Sequence, residues 1–329
     1  MAYRISPAWW PVIALTSPIL FPMLIRKNSR FKKNIQVSQK VNKERIKKAK
    51  PLVLPQLEHF ELTVLVEQKT EHGFMGAPGV SYFIKTDLGA LLFDVGFGPE
   101  MLALAHNARK IGFTMAQADA LAISHLHPDH MGGLQAVRKR QVTVPKEIAG
   151  PQGRPCFVPA DASAEGFQAE VVEGPRMLAA GVASTGPLAR SLFFFGLTEE
   201  QAIVARIKGK GLVVFTGCGH PTIETILQMA RRLSDEPIYA VGGGLHFPIT
   251  DSPLRQRGIR IQMIVGTGKP PWRRLTDADL SRTIDSLNAV APQRVFLSAH
   301  DTCDHAIDRF KNELTCETDV LRAGATYQL

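Results

Sequence analysis

The chain has 329 residues, 45% of them hydrophobic and 21% charged, a globular composition that excludes intrinsic disorder. Its net charge of +9 resides in a tail: residues 1 to 50 hold 12 Lys/Arg against Glu44 alone, whereas residues 51 to 329 hold 27 bases against 29 acids. A slightly acidic main body gives no reason to expect a nucleic-acid partner. Four cysteines with no C-x-x-C pair exclude a disulfide scaffold and suit a reducing compartment.

From Ile5 to Ile25 the chain carries no charge, with Trp9 and Trp10 near one end and Arg26, Lys27, Arg30, Lys32 and Lys33 past the other. That length suffices to span a bilayer, and the lysine cluster would place residue 1 outside and the main body in the cytoplasm. Pro7, Pro11, Pro18 and Pro22 each remove a helix hydrogen bond and stand against a full span, so a spanning segment and a monotopic anchor are both open. Residues 1–25 are therefore expected to be a hydrophobic membrane anchor in contact with lipid. Residues 26–50 read as a basic linker, either a helix lying on anionic lipid or a solvated connector. Residues 51–329 read as one domain, with folded structure beginning between Pro51 and Leu62.

Strands are predicted at Phe60–Val66, Val80–Lys85 and Gly89–Phe93, a helix over Pro99–Ile111, a buried strand at Ala120–Ser124 and a helix over Gly133–Arg138. Val144–Pro187 is rich in Pro and Gly and predicts short strands joined by turns. Strands follow at Ser191–Phe195, Gln201–Ile207 and Gly211–Thr216, then a helix with Pro221 in its first turn and a strand at Ile238–Val241. Thr276 and Asp279 form a capping box for a further helix. A last buried strand at Arg294–Leu297 precedes a helix from about Asp304. An antiparallel first half and a β-α-β second half predict two sheets between helices.

The ten histidines are not scattered. His125, His127, Asp129 and His130 stand within six residues directly after an apolar strand. On such a loop, residues i and i+2 can converge on one cation while i+4 and i+5 turn toward a second, and imidazole with carboxylate suits zinc, iron or manganese.

With Leu91–Gly96, which ends a strand in Asp94, and the Gly132-Gly133 pair, this motif resembles the metallo-β-lactamase superfamily over roughly residues 60 to 315. The resemblance implies an α/β, αββα sandwich with a one- or two-metal site at one edge of its sheets. Three further segments, Phe215–His220, Gly242–His246 and Ser298–His300, resemble the branch of 7,8-dihydropterin-6-methyl-4-(β-D-ribofuranosyl)aminobenzene 5′-phosphate synthase. Within that frame His220, His246, His300 and His305 are the histidines left downstream, and His220 and His300 each follow an apolar strand. His125, His127 and His220 are assigned to a first divalent metal, and Asp129, His130 and His300 to a second, with zinc the first choice. Two features depart from the superfamily pattern. The separate histidine before the T-G-D element is missing, and Cys218 replaces the bridging aspartate, either as a thiolate ligand or as a buried thiol. His246 is a ligand, an outer structural residue or a general acid. Asp94 is expected to orient a ligand imidazole, and His305 to be a surface or packing residue.

The implied activity is hydrolysis by a metal-bound hydroxide, with Asp129 holding the nucleophile and His246 or a second water protonating the leaving group. Lys269 and Arg273, in the arginine-rich stretch Asp251–Leu275, together with Trp272, are candidates for binding a small anionic ester of phosphoester or pterin-phosphate type. Trp272 and Phe74 are candidates for stacking on a planar ring. Gly266–Pro270 is no phosphate loop, since Met263 stands where its first glycine belongs. The alternative to a membrane-attached hydrolase is a metal-binding sensor or scaffold without turnover.

Overall fold

The computed structural model describes residues 3–329; the first two residues of the expected anchor lie outside the described residues. Two sheets face one another. The first runs in the order Thr326–Gln328, Phe60–Val66, Ser81–Thr86, Gly89–Phe93, Ala120–Ala122, Arg154–Val158, Phe167–Val171. The second runs Arg176–Met177, Ala183–Ser184, Ile203–Ile207, Gly211–Thr216, Ile238–Gly243, Arg294–Leu297, Glu317–Val320, with Gln56–Leu57 beside Ile203–Ile207.

Burial follows from alternation along these strands. Leu62, Val64, Tyr82, Ile84, Leu91 and Phe93 meet Ile203, Val213, Phe215 and Phe296 between the sheets, where Phe215 packs between Phe60, Tyr82 and Phe296. The outer side of the first sheet is covered by Ala103–Ile111 through Leu104 and Ala108. Ile223–Leu233, Asp277–Val290 and Asp304–Glu313 cover the second through Leu227, Ile284 and Ile307. The result is the αββα sandwich expected from the sequence. Thr276 caps its helix, accepting from the Asp279 amide while the Asp279 carboxylate accepts from the Thr276 amide.

The site-bearing edge follows from strand direction. Gly211–Thr216, Ile238–Gly243 and Arg294–Leu297 are mutually parallel, so their C-terminal ends share one edge. In the other sheet Gly89–Phe93 and Ala120–Ala122 are parallel as well, which brings Asp94 beside Ser124.

The amino-terminal region departs from expectation. Trp10–Lys48 is one continuous helix, and its second half, expected as a linker, docks on the domain. Phe31, Ser38, Asn42 and Ile46 recur on one face and are buried. Asn42 donates to the Ala189 carbonyl (2.8 Å) and accepts from the Ala189 amide (2.7 Å), and Ile46 joins the core with Leu54. Folded structure therefore begins well before Pro51. The prolines are accommodated locally: Pro7 and Pro11 occupy first turns, where no helix bond is lost. Pro18 leaves the Ala14 carbonyl without an amide partner, and Ser17 Oγ donates to it at 2.8 Å. Residues 188–200 form a hairpin, Leu188–Leu192 with Gly196–Glu200, so Phe193–Phe195 are its turn and not part of a strand.

Candidate metal centre

The motif segment leaves Ala120–Ala122 and enters a short helix, Pro128–Met131, with His127 as its N-cap residue. Gly132 ends it with φ +111°, and a side chain there would collide with the Thr143 backbone. This tight turn drives His130 back into the core while Asp129 keeps its edge toward the opening, its side chain 15% exposed.

Opposite lies the loop Gly217–His220, held by one buried carboxylate. Glu200 accepts from Thr216 Oγ1 (2.6 Å) and from the amides of Gly217 (3.1 Å), Gly219 (2.8 Å) and His220 (2.8 Å). Burial raises its pKa, and those donors oppose the rise.

Two donor sets result. His125, His127 and His220 form the first, with their ligating atoms within 4.8 Å of one another; His220 Nε2 lies 3.2 Å from His127 Nδ1. Asp129, His130, Cys218 and His300 form the second: Cys218 Sγ lies 3.0 Å from His130 Nε2 and 3.3 Å from His300 Nε2. Cys218 also groups with His220 and His246, so its sulfur stands between the two sets.

Matching relays fix two of the rings. Ser124 Oγ donates to Asp94 Oδ2 (2.7 Å) and lies 2.9 Å from His125 Nδ1; Ser298 Oγ donates to Glu67 and lies 2.5 Å from His300 Nδ1. Each serine uses its proton on a carboxylate, which assigns the ring proton to Nδ1 and leaves Nε2 as a lone pair facing the site. Asp94 Oδ2 also accepts from His130 Nδ1 at 2.7 Å, and Asp94 itself has φ +62°. Buried Glu67 accepts from Tyr82 Oη at 3.0 Å as well; burial raises its pKa to about 8, against the pull of Ser298.

The protonation pattern favours cation binding at the first donor set. In the second, burial opposes but Cys218, Asp129 and Asp94 hold His130 well above the ordinary histidine value, a proton that an ion would have to displace. Burial and mutual repulsion hold His125 and His220 well below the ordinary histidine value, burial takes His127 down to about 4, and His300 is lowered too. Burial raises Asp129 but the adjacent His130 more than offsets it, so the carboxylate is ionised. Cys218 is pushed up by burial. His125 Nε2 is buried without a hydrogen-bond partner beside two further neutral imidazoles. A native interior rarely tolerates that, and the donors fit a divalent metal of nitrogen and sulfur preference. His125, His127 and His220 would hold one ion and Asp129, His130, Cys218 and His300 another.

His246 (φ +56°) lies at the rim, its ring centroid 5.0 Å from that of His220. Behind it Asp301 Oδ2 is 3.6 Å from both His246 Nδ1 and His300 Nε2 and has no hydrogen-bond partner. His305 pairs with Asp277 on the last helix, half-exposed.

The three substrate candidates are not brought to the donors. Lys269 Nζ is held by Asp279 Oδ2 (2.5 Å) at the helix cap. Arg273 is exposed, its carbonyl accepting from Arg4 (3.2 Å), and Trp272 packs edge-on against Phe193, while Phe74 lies under Lys110. Instead Arg190 lines a cleft with His220, His246, Gly266 and Thr267, and burial lowers its pKa. The ring of Phe195 lies over His127, centroids 4.4 Å apart. Sequence reasoning passed over Arg190, Phe195, Glu67, Glu200 and Asp301. The one available signal was that Glu67 and Asp301 follow apolar strands, as Asp94 does.

Replacing Asp94 with Asn keeps a residue tolerant of positive φ but turns one acceptor oxygen into a donor. Metal retention against a chelator is expected to weaken by about 10–100-fold; unchanged retention would show Asp94 to be a turn residue only.

Residues 75–154 match the sequence pattern of the family described as the metallo-beta-lactamase superfamily. Among solved structures the chain is similar to Tm1679, a metal-dependent hydrolase of the beta-lactamase superfamily. Identity is 23% over 82% of this chain and 99% of that one, and the TM-score is 0.59. It is also similar to YhfI from Bacillus subtilis, a metallo-beta-lactamase fold protein, at 13% identity over 82% of this chain and 99% of that one, with a TM-score of 0.49. No protein of curated function matches it in sequence. Residues 75–154 thus carry the sequence pattern of the metallo-beta-lactamase superfamily, and the chain as a whole shares the fold of Tm1679.

Proposed function

We propose that the protein is a metal-dependent hydrolase of a small anionic ester, attached to the membrane through its amino-terminal helix with the domain on the cytoplasmic side. The observation that carries the catalytic reading is the pair of buried donor sets meeting at Cys218, one of them containing the unpartnered His125 Nε2. Two divalent ions, zinc being favoured by imidazole and sulfur together, would supply an acidified water and positive charge beside the scissile bond.

The remaining work falls to the chain. Asp129, ionised and at the opening, accepts a hydrogen bond from the attacking water and aligns it. The Ser124 and Ser298 relays keep the ring nitrogens aimed inward. His246, backed by Asp301, is placed to give a proton to the leaving oxygen. Arg190, half-buried and near Glu224, supplies positive charge for an anionic group, and Phe195 shields the His127 side from water. A phosphoester, including the pterin-phosphate type of the resembling branch, satisfies this arrangement.

Arg190→Met tests the anion reading. Loss of a charge-assisted contact is expected to raise KM by about 10-fold or more with kcat little changed; an unaltered KM places the anion elsewhere. The function itself is tested by reconstituting the full chain with zinc and assaying bis(p-nitrophenyl) phosphate beside phosphomonoesters and carboxylic esters. Turnover that His127→Ala abolishes while circular dichroism is unchanged supports the proposal. A fully metallated protein inert on the whole panel would leave the sensor or scaffold reading.

A further inference from the structure

The helix that carries the apolar run does not leave the domain at either end. Ser6 donates to the Gly258 carbonyl (3.0 Å), Trp9 Nε1 donates to the Arg257 carbonyl (3.0 Å), and the Arg260 amide donates to the Arg4 carbonyl (2.9 Å). Further along, Lys27 donates to the Phe194 carbonyl (3.3 Å), and Phe31 packs on Phe193 with centroids 5.6 Å apart. Between these anchor points one face bears Trp10, Leu15, Ile19, Phe21 and Ile25, each 61–84% exposed. Among the described residues, no other part of the chain covers that face.

The tether at residues 257–260 sets a distance limit. Ser252 is buried, donating to Gln262, which in turn donates to the His300 carbonyl (2.6 Å) beside the metal centre. Arg257 lies five residues beyond Ser252, a reach of at most about 18 Å even if fully extended. A hydrocarbon core is about 30 Å thick. A crossing helix would therefore have to drag the hairpin Arg255–Arg260, with three arginines and open edges, through lipid that satisfies neither. A helix lying in the plane of one leaflet meets no such obstacle. Its bare face enters the acyl region, and Arg4, Arg26 and Arg30 near its ends meet lipid phosphates.

The loops that hold the helix also roof the site. Phe193 touches both Phe31 and Trp272, Phe195 lies over His127 and is half exposed, and the Gly266 carbonyl lies 3.2 Å from His220 Nδ1. Phe195, at the His127 side of the opening, is thus one residue from Phe194 and two from Phe193, which contact Lys27 and Phe31 of the helix.

We propose that the protein docks on one leaflet by the Trp10–Ile25 face without crossing, and that its substrate is an amphiphile: an ester with an anionic head that reaches the donors while its hydrocarbon chain stays in the leaflet. The substrate assignment rests on the hydrolase reading above. One water is consumed, its oxygen joining the attacked phosphorus or carbonyl carbon and a proton passing to the departing oxygen. No further co-reactant is required.

The test uses the full chain reconstituted into phosphatidylcholine vesicles containing phosphatidylglycerol. Tyr3→Cys and Lys48→Cys, each in a Cys316→Ser background, are labelled with a membrane-impermeant maleimide. In-plane docking predicts equal labelling of both positions without detergent; protection of Tyr3→Cys until lysis overturns it. In the second arm, a nitrophenyl phosphodiester with a long alkyl chain in vesicles is compared with its short-chain soluble counterpart. The long-chain form is expected to be turned over at least about tenfold more efficiently. Changing Leu15, Ile19, Phe21 and Ile25 together to serine should cut vesicle partitioning about 100-fold and erase that advantage, with the short-chain rate kept. Short-chain turnover with no long-chain advantage overturns the substrate assignment alone. Turnover of neither overturns the hydrolase reading and the substrate assignment with it, while labelling still decides the docking.

Discussion

Glu200→Ala is expected to destabilise the protein by about 3–5 kcal/mol, because it strands three backbone amides and a hydroxyl in a buried loop. The carboxylate sits at the end of the hairpin that docks the amino-terminal helix, and its four acceptor contacts define the path of Gly217–His220. Glu200→Gln keeps one acceptor oxygen but turns an NH2 toward amides, so an intermediate loss of about 1–3 kcal/mol follows. Chemical denaturation of the metal-free proteins measures both. If alanine costs less than 1 kcal/mol, the loop is held by something other than this carboxylate.

His127→Ala is expected to lower turnover of any accepted ester by about 1,000-fold or more, since under the proposed function it would remove one of three donors to a first ion and open the site to water. The fold should survive. His127 is the N-cap of a four-residue helix and makes no side-chain capping bond, and its removal leaves the inter-sheet core untouched. Comparison of kcat with thermal stability separates this catalytic loss from the structural one in Glu200→Ala. Equal activity in parent and variant would remove His127 from the site.

The site was legible where its chemistry is local. His125, His127, Asp129 and His130 announce themselves by spacing, and Asp94, His220 and His300 by following apolar strands whose parallel arrangement brings their ends to one edge. Glu67 offered only its place after an apolar strand, and Glu200, ending the strand Gly196–Glu200, offered no signal, because a carboxylate at a strand end is ordinarily a surface residue. Only packing against Ser298 or the Gly217–His220 loop makes it a structural acceptor. Arg190 was hidden within a hairpin, 86 residues before the Thr276 of the capping box of its neighbouring helix, Asp277–Val290 being among the elements that close its cleft. The basic run Asp251–Leu275 drew attention by charge, yet its Lys269 is spent on Asp279. The docked helix was obscured by its prolines, whose cost depends on position in the turn and on a neighbouring hydroxyl, as Ser17 supplies for Pro18.

Most of the sandwich was legible for a simple reason: strands buried on both faces, such as Leu91–Phe93 and Val213–Phe215, read as unbroken apolar runs. The closing strands Glu317–Val320 and Thr326–Gln328 lie at sheet edges with polar, part-exposed residues, so hydrophobic pattern did not reveal them.

Two neighbouring donor sets are each proposed to hold a metal ion. Elemental analysis of the full-length protein after reconstitution with zinc, beside His220→Ala and His300→Ala, tests it most directly. The prediction is two ions per chain in the parent and one in each variant. A parent that stays empty with zinc, iron and manganese alike, or variants that keep the parent's metal content, would contradict it.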